Sequence, residues 1–244
     1  MMRALTSAFA AAALNVLVAQ SIDPPQAVDR TTTFQARMTP AQREHGREHA
    51  KNDIIGAREL AQHGLTPHRI LDEGTSIDLA IDLIGVEATM TVRQMLTATA
   101  CGNAIVFEGR VLTKESFPTE DGTFLFTDYE VEAIEIFRGL AGLSARSRVT
   151  VTRLGGSVAF DGGSVNATIS TAPTIETNRT YLFFGRSLAA TGAVSVNESN
   201  DVLPLEKSRF TAAHFPPATD LRDLSRRGFA ADSTRRTLRQ LTCR

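Results

Sequence analysis

The stretch Arg43 to Asp53, REHGREHAKND, carries His45, Glu48 and His49 in an H-x-x-E-H spacing. Histidines four positions apart lie one turn apart on the same side of a helix. Two imidazoles so placed can bind zinc while the carboxylate between them activates a water. A third ligand would come from downstream, where Glu115 and Glu120 are available. The competing reading is a charged helix surface. At about 100° per residue, Ala50, Ile54, Ala57 and Ala61 form an apolar stripe, and His45, Glu48 and His49 fall on roughly the opposite side. A catalytic helix turns its ligands toward protein, whereas this one is expected to turn them to water. Gly46 also weakens the helix, and Glu44 and Glu48 beside Arg43, Arg47 and Lys51 suit a solvated face of paired charges. The sequence therefore favours no catalytic residue, no metal and no cofactor. A zinc-dependent hydrolase using His45, Glu48 and His49 stays as the alternative.

Other constellations are weaker. The Gly-Gly-Ser triplets at 155–157 and 162–164 lack both the strand-elbow-helix setting of a nucleophile and the lysine of a phosphate loop, so they read as turns. Asp72, Glu73, Asp78 and Asp82 follow no calcium-loop spacing. His63, His68 and His214 are isolated. Three Asn-x-Ser/Thr triplets begin at Asn166, Asn178 and Asn197 and matter only in a glycosylating secretory pathway.

The elements that must position such residues follow from periodicity. Residues 22–40 are polar and read as a loose lead-in. Thr39 and Pro40 open a helix expected to reach His63 and stop at Gly64. Ile77, Leu79, Ile81 and Leu83 alternate with polar residues as a strand does, Gly85 marks a bend, and TVRQMLTATA reads as a short helix. A dense β region follows. Ile105, Phe107, Gly109 and Val111 share one face of a strand, and Gly109 marks a bulge or tight bend where a barrel closes. Asp121-Gly122 signals a hairpin. Tyr129, Val131 and Ala133 keep one phase and Ile134 and Ile136 the other, which places a bulge near Glu132. Val149 and Val151 lie in a third strand, the stretch from Gly155 to Ser170 reads as a glycine-rich hairpin, and Tyr181 and Phe183 lie in a last core strand ended by Gly185. Residues 190–205 are expected to add a hairpin, and Asp220 and Asp232 to open short amphipathic helices. The expected fold is mainly β: a small barrel, closed or half-open, with an N-terminal helical extension and a C-terminal arm of short helices. Its core comprises Ile105, Phe107, Gly109, Val111, Tyr129, Val131, Val149, Val151, Tyr181 and Phe183.

The first 21 residues, with Arg3 ahead of an alanine-rich apolar run and small residues at its end, read as a secretory signal; a retained anchor is the alternative. Residues 22–75 then form the extension, 76–189 the barrel with its lead-in strand and helix, and 190–244 a basic arm. Export to the periplasm or beyond means an oxidising compartment, so the two cysteines, Cys101 and Cys243, are expected to pair. Two free thiols are the alternative. Closing so long a loop is worth up to ~5 kcal/mol in the chain-entropy model.

A net charge of −1 predicts no bulk attraction to nucleic acid or an anionic membrane. Acids dominate between Asp72 and Arg138, and the tail is basic, with Arg222, Arg226, Arg227, Arg235, Arg236 and Arg239. The favoured reading packs the tail on the acidic region; contact with an anionic partner is the other. The outward strand positions Glu108, Asp128, Glu130 and Glu132 would repel phosphates, and the chain has no tryptophan.

In Gly109-Arg110-Val111, the Thr127-Asp-Tyr129 strand ending at Arg138-Gly139, the pair Gly155-Gly156 and Tyr181-Leu-Phe-Phe184, residues 91–186 resemble a family of exported, mostly bacterial proteins with an OB-like barrel of the netrin or metalloproteinase-inhibitor type. The resemblance implies that fold and no catalytic residue. Metalloproteinase inhibitors act through an N-terminal cysteine, which this chain lacks near its expected mature start. The combined expectation is an exported, non-catalytic binding module for a protein or cell-envelope component. Its contact surfaces would be the barrel wall or the loops Thr119–Gly122 and Ala159–Gly163. It would have no membrane span once the signal is cleaved, and its oligomeric state is undetermined. A basic-tail binder of anionic surfaces is the second alternative.

Overall fold

The computed structural model describes residues 29–52, 69–72, 77–81, 92–139, 142–169, 173–196, 201–210 and 229–243. In chain order these form α1 (Arg30–Arg37), α2 (Pro40–Asn52), β1 (Ile77–Ile81), α3 (Val92–Gly102), β2 (Ile105–Pro118), β3 (Leu125–Arg138), β4 (Arg148–Leu154), β5 (Gly156–Phe160), β6 (Gly163–Ile169), β7 (Thr180–Ser187), β8 (Val194–Ser195), β9 (Val202–Glu206), β10 (Arg209–Phe210), β11 (Phe229–Ala230) and α4 (Ala231–Arg239). The protein is mainly β. Its described strands form an eight-stranded sheet, β11-β10-β9-β7-β2-β3-β4-β8, and a three-stranded sheet, β1-β6-β5.

The large sheet closes on itself. Val194 of β8 pairs in parallel with Val151 of β4 and antiparallel with Ser187 of β7, so β7, β2, β3, β4 and β8 make a ring. This is the small closed barrel expected from the alternation. Its closing strand lies beyond residue 189, in the stretch assigned above to the arm. A hairpin within 190–205 is not what forms: β8 joins β4 and β7, and β9 pairs with β7 and β10. The reason is that Val194 and Val196 are wanted in the barrel interior, where both are fully buried.

Inward residues fill that interior. Ile105, Phe107, Val111, Tyr129, Val131, Val149, Val151, Tyr181 and Phe183 form one cluster, together with Val194 and Val202. Gly109 belongs there for want of space, since a Cβ on it would meet Val131 Cγ1 at 2.4 Å. The ladder between β2 and β3 slips between Glu108 and Gly109, where Glu108 opposes Glu135 and Gly109 opposes Ala133. The extra residue is therefore Ile134, two positions past Glu132. It is 42% exposed, and the slip returns Ile136 to the core.

The N-terminal region corrects one expectation and meets another. Residues 30–37 are helical rather than loose, because Asp29 caps the helix by accepting from Thr32 N at 2.9 Å. α2 begins at Pro40 as expected, with a reciprocal cap: Thr39 Oγ1 accepts from Gln42 N and Gln42 Oε1 accepts from Thr39 N. The rest of the helix expected to His63, the Gly85 bend, the signal segment and Arg222, Arg226 and Arg227 lie outside the described residues. β1 and α3 stand where expected, and β5 and β6 form the glycine-rich hairpin. α4 starts one residue before Asp232, with no side-chain cap.

The barrel wall is largely covered by the chain's own segments. Leu96 and Ala100 of α3 and Ala231 and Leu238 of α4 bury Val106, Leu182, Phe184, Leu203 and Phe210. Cys101 and Cys243 are disulfide-bonded across 142 positions, with Cα atoms 5.4 Å apart, which ties the chain end to α3. Among the described residues no helix is long and apolar enough to cross a membrane.

Candidate functional site

Helix α2 sits on the outer wall of β3 and β4 and contradicts the orientation expected for it. His45 and His49 are 2% and 1% exposed, facing the barrel rather than water. The wall beneath them is polar. Asp128 and Thr152 oppose each other across the β3–β4 ladder, and each holds one histidine. His45 Nδ1 lies 2.8 Å from Asp128 Oδ2, so Nδ1 is the donor, because a carboxylate only accepts. His45 Nε2 pairs with Thr191 Oγ1 at 2.9 Å, and His49 Nε2 with Thr152 Oγ1 at 2.9 Å. Gly46 allows this close seat: a Cβ there would lie 3.1 Å from Phe126 Cε1, and its carbonyl accepts from Glu120 N. His49 also stacks on Phe126 with ring centroids 5.4 Å apart. Burial first, and the neighbouring His45 second, push the His49 imidazole down to about 3. It is therefore neutral at ordinary pH. His49 Nδ1 and Asp128 Oδ1 are buried without a hydrogen-bond partner.

Glu48 does not join this pair. It is half-buried and bridges to Lys51 at 2.7 Å. Among the described residues no group of three or more His, Cys, Asp or Glu is arranged to hold a metal. Asp128, His45 and Thr191 are linked in the order carboxylate, imidazole, hydroxyl, which is the order of a hydrolytic triad. Nucleophilic chemistry also requires a cavity at the hydroxyl and donors for an oxyanion. The three described cavities have other linings. The direct effect of the arrangement is to fix α2 on the barrel.

A second polar cluster lies inside the barrel, at the end where β2 turns into β3. On β4, Val149 and Val151 point into the core, and Arg153 continues their phase. On β3, Thr127 continues the phase of Val131 and Tyr129. Across the ladder, Tyr129 opposes Lys114 and Thr127 opposes Ser116, and opposed residues share a face. The core-facing rows of three strands thus end in polar groups. They line a cavity of about 410 Å³ that also takes in Leu154, Gly156, Ser157, Asn166 and Ile175. Ser116 and Thr127 are hydrogen-bonded to each other at 2.8 Å, and Thr127 Oγ1 lies 2.7 Å from the Gly155 carbonyl. Gly156 has to be glycine, since a Cβ would sit 2.3 Å from Thr127 Oγ1 and its φ is +151°.

Arg153 is 5% exposed. Its Nη1 donates to the Pro173 carbonyl at 2.7 Å, and its Nε–H has no acceptor. Burial lowers the guanidinium pKa, against the attraction of Tyr129, Asp201 and Tyr181. Burial likewise raises the Tyr129 hydroxyl. Neither Arg153 nor Lys114 is singled out by the sequence reading. The signal was a charged residue continuing an apolar alternation, as in Val149, Val151, Arg153.

The acidic strand positions are not a bare surface. Glu108 is 1% exposed and accepts two bonds from Arg235, Asp128 holds His45, Glu130 pairs with Arg148, and Glu132 pairs with Arg110. Arg239 pairs with Glu135, whereas Arg236 is exposed beside them. The described part of the basic tail therefore packs on the acidic region. Compared with known protein families and with curated proteins, the chain matches none.

Proposed function

We propose that this protein is an exported binding module, without catalysis of its own, that engages a protein or cell-envelope component through the polar end of its barrel. The observation that carries the reading is the placement of Arg153 and Lys114 at an end where core-facing rows turn polar around a cavity, while helices cover much of the wall. Of the two loops expected to make contact, Thr119–Gly122 is largely occupied. Gln35 Nε2 donates to the Thr119 and Glu120 carbonyls, and Ile70 N donates to that of Gly122. The β5–β6 tip is more open, with Ala159, Asp161 and Gly162 exposed. The disulfide supports export. The likeness to the netrin or metalloproteinase-inhibitor type belongs to the same proposal.

The basic-tail alternative draws less support, because Arg235 and Arg239 are engaged within the chain. The zinc alternative would need Glu48 to leave Lys51 and turn toward the histidines. The test is photo-crosslinking from position 161, at the β5–β6 tip, against position 143, in the turn joining β3 to β4 at the opposite end of the barrel. A partner from the native extracellular or envelope fraction should be captured from 161 and not from 143. Equal capture from both positions, or from 143 alone, overturns the proposal.

A further inference from the structure

We infer that the barrel mouth is a site for a small organic carboxylate, held by the Arg153 guanidinium, with Lys114 at the rim and Leu154 and Ile175 against its carbon skeleton. This rests on the binding-module reading and names the ligand class of that same end of the barrel.

The argument starts from the cost of the arginine. Taking an ionised guanidinium out of water is expensive unless a carboxylate and further hydrogen bonds compensate it. Arg153 stands at a core-facing position of β4, where the preceding inward residues are valines. An apolar side chain there would extend the barrel core at no electrostatic cost. Arg153 instead keeps its charge beside the cavity, with the Pro173 carbonyl as acceptor for Nη1 and an Nε–H that has none. Among the described residues no carboxylate forms an ion pair with it, and Asp201 acts only at longer range. A guanidinium offers five N–H donors in a planar fork that matches a carboxylate.

The rest of the lining selects the ligand. At about 410 Å³ the cavity is within the range of small-molecule sites. Two of its hydroxyls are already committed: Ser116 bonds Thr127, Thr127 bonds the Gly155 carbonyl, and Ser157 N donates to Ser116 Oγ. The strongest donors that remain are the planar Arg153 fork and the Lys114 ammonium, which suit a single carboxylate better than a polyol. Apolar surface from Leu154, Pro173 and Ile175 stands beside the two cations. One charged end and an apolar body fit that combination.

The experiment titrates the intact, disulfide-bonded protein with hexanoate, benzoate, hexanamide and inorganic phosphate, followed by amide NMR. Hexanoate or benzoate should shift the Gly156 and Ser157 amides saturably, with hexanamide and phosphate each at least about tenfold weaker. Arg153→Met should abolish the shifts. Because that variant could also loosen the barrel end, Lys114→Ala, at an exposed position, is measured beside it and should weaken binding about threefold or more. The inference is overturned by hexanamide matching hexanoate, by phosphate outbinding both acids, by no acid binding at all, or by a folded Arg153→Met that binds unchanged. If the acids fail while position 161 still captures a partner, the carboxylate site falls and the module reading stands. If the acids bind and capture fails, the site stands and the macromolecular partner falls.

Discussion

Glu108 and Arg235 meet through two hydrogen bonds of 2.7 Å although 127 positions separate them. Glu108 belongs to a central barrel strand and Arg235 to the last helix, so the pair staples the C-terminal arm to the outer wall from within. The Glu108 carboxylate holds the Arg235 guanidinium above its usual range. A buried bidentate pair of this kind matters most when it is broken, because one partner is then left charged and desolvated.

Arg235→Ala should therefore destabilise the fold by about 3 kcal/mol or more, as measured by urea unfolding. Arg239→Ala removes an exposed bridge to Glu135 and should cost only a small fraction of that. Equal costs for the two variants would show that burial of Glu108 does not set the strength of the staple.

His49 makes stability depend on pH in a defined direction. Its folded pKa, about 3, lies below the ordinary 6.5. The unfolded chain therefore binds a proton at higher pH than the folded one. The stability associated with neutral burial is complete above about pH 6.5 and is lost as pH falls toward 3, at about 1.4 kcal/mol per unit at full slope. Thermal midpoints should drop between about pH 6.5 and 5, where most carboxylates are still ionised. His49→Gln keeps a polar group near Thr152 but cannot titrate, and should flatten that part of the profile. An unchanged slope in His49→Gln would assign the acid sensitivity to another group.

Gly109 and Gly102 separate space from propensity. A Cβ at Gly109 collides with Val131, Phe107 and the Glu132 carbonyl, so Gly109→Ala should cost about 1–3 kcal/mol by overpacking. At Gly102, the last residue of α3, a Cβ meets nothing within 4 Å, and alanine there should be neutral or slightly stabilising. Denaturant midpoints of the two variants, compared with the parent, check both statements. A tolerated Gly109→Ala would mean that the barrel wall yields more than its packing implies.

Much of the barrel was legible because a strand's period of two is a local property. Val149 and Val151 must share a face wherever β4 ends up, and the phase slip around Ile134 and Ile136 announces a bulge before any partner strand is known. The same holds for the Thr39 and Pro40 helix start and for the Asp121-Gly122 hairpin. The inward-facing histidines of α2 were not legible. A helix is amphipathic only relative to the surface it meets, and polarity alone put His45 and His49 in water. Asp128 and Thr152, some 80 to 100 positions further on, supply hydrogen bonds that make the histidine face the buried one. The polar mouth was hidden for the same reason. Lys114 and Arg153 each look like an ordinary strand charge, and only the β2–β3–β4 register sets them around one cavity. The amino-acid order by itself determined which residues alternate, turn and cap, since those preferences act between near neighbours. The tertiary structure alone decided which polar groups are buried together, because burial is a property of surfaces that meet only after the barrel has closed.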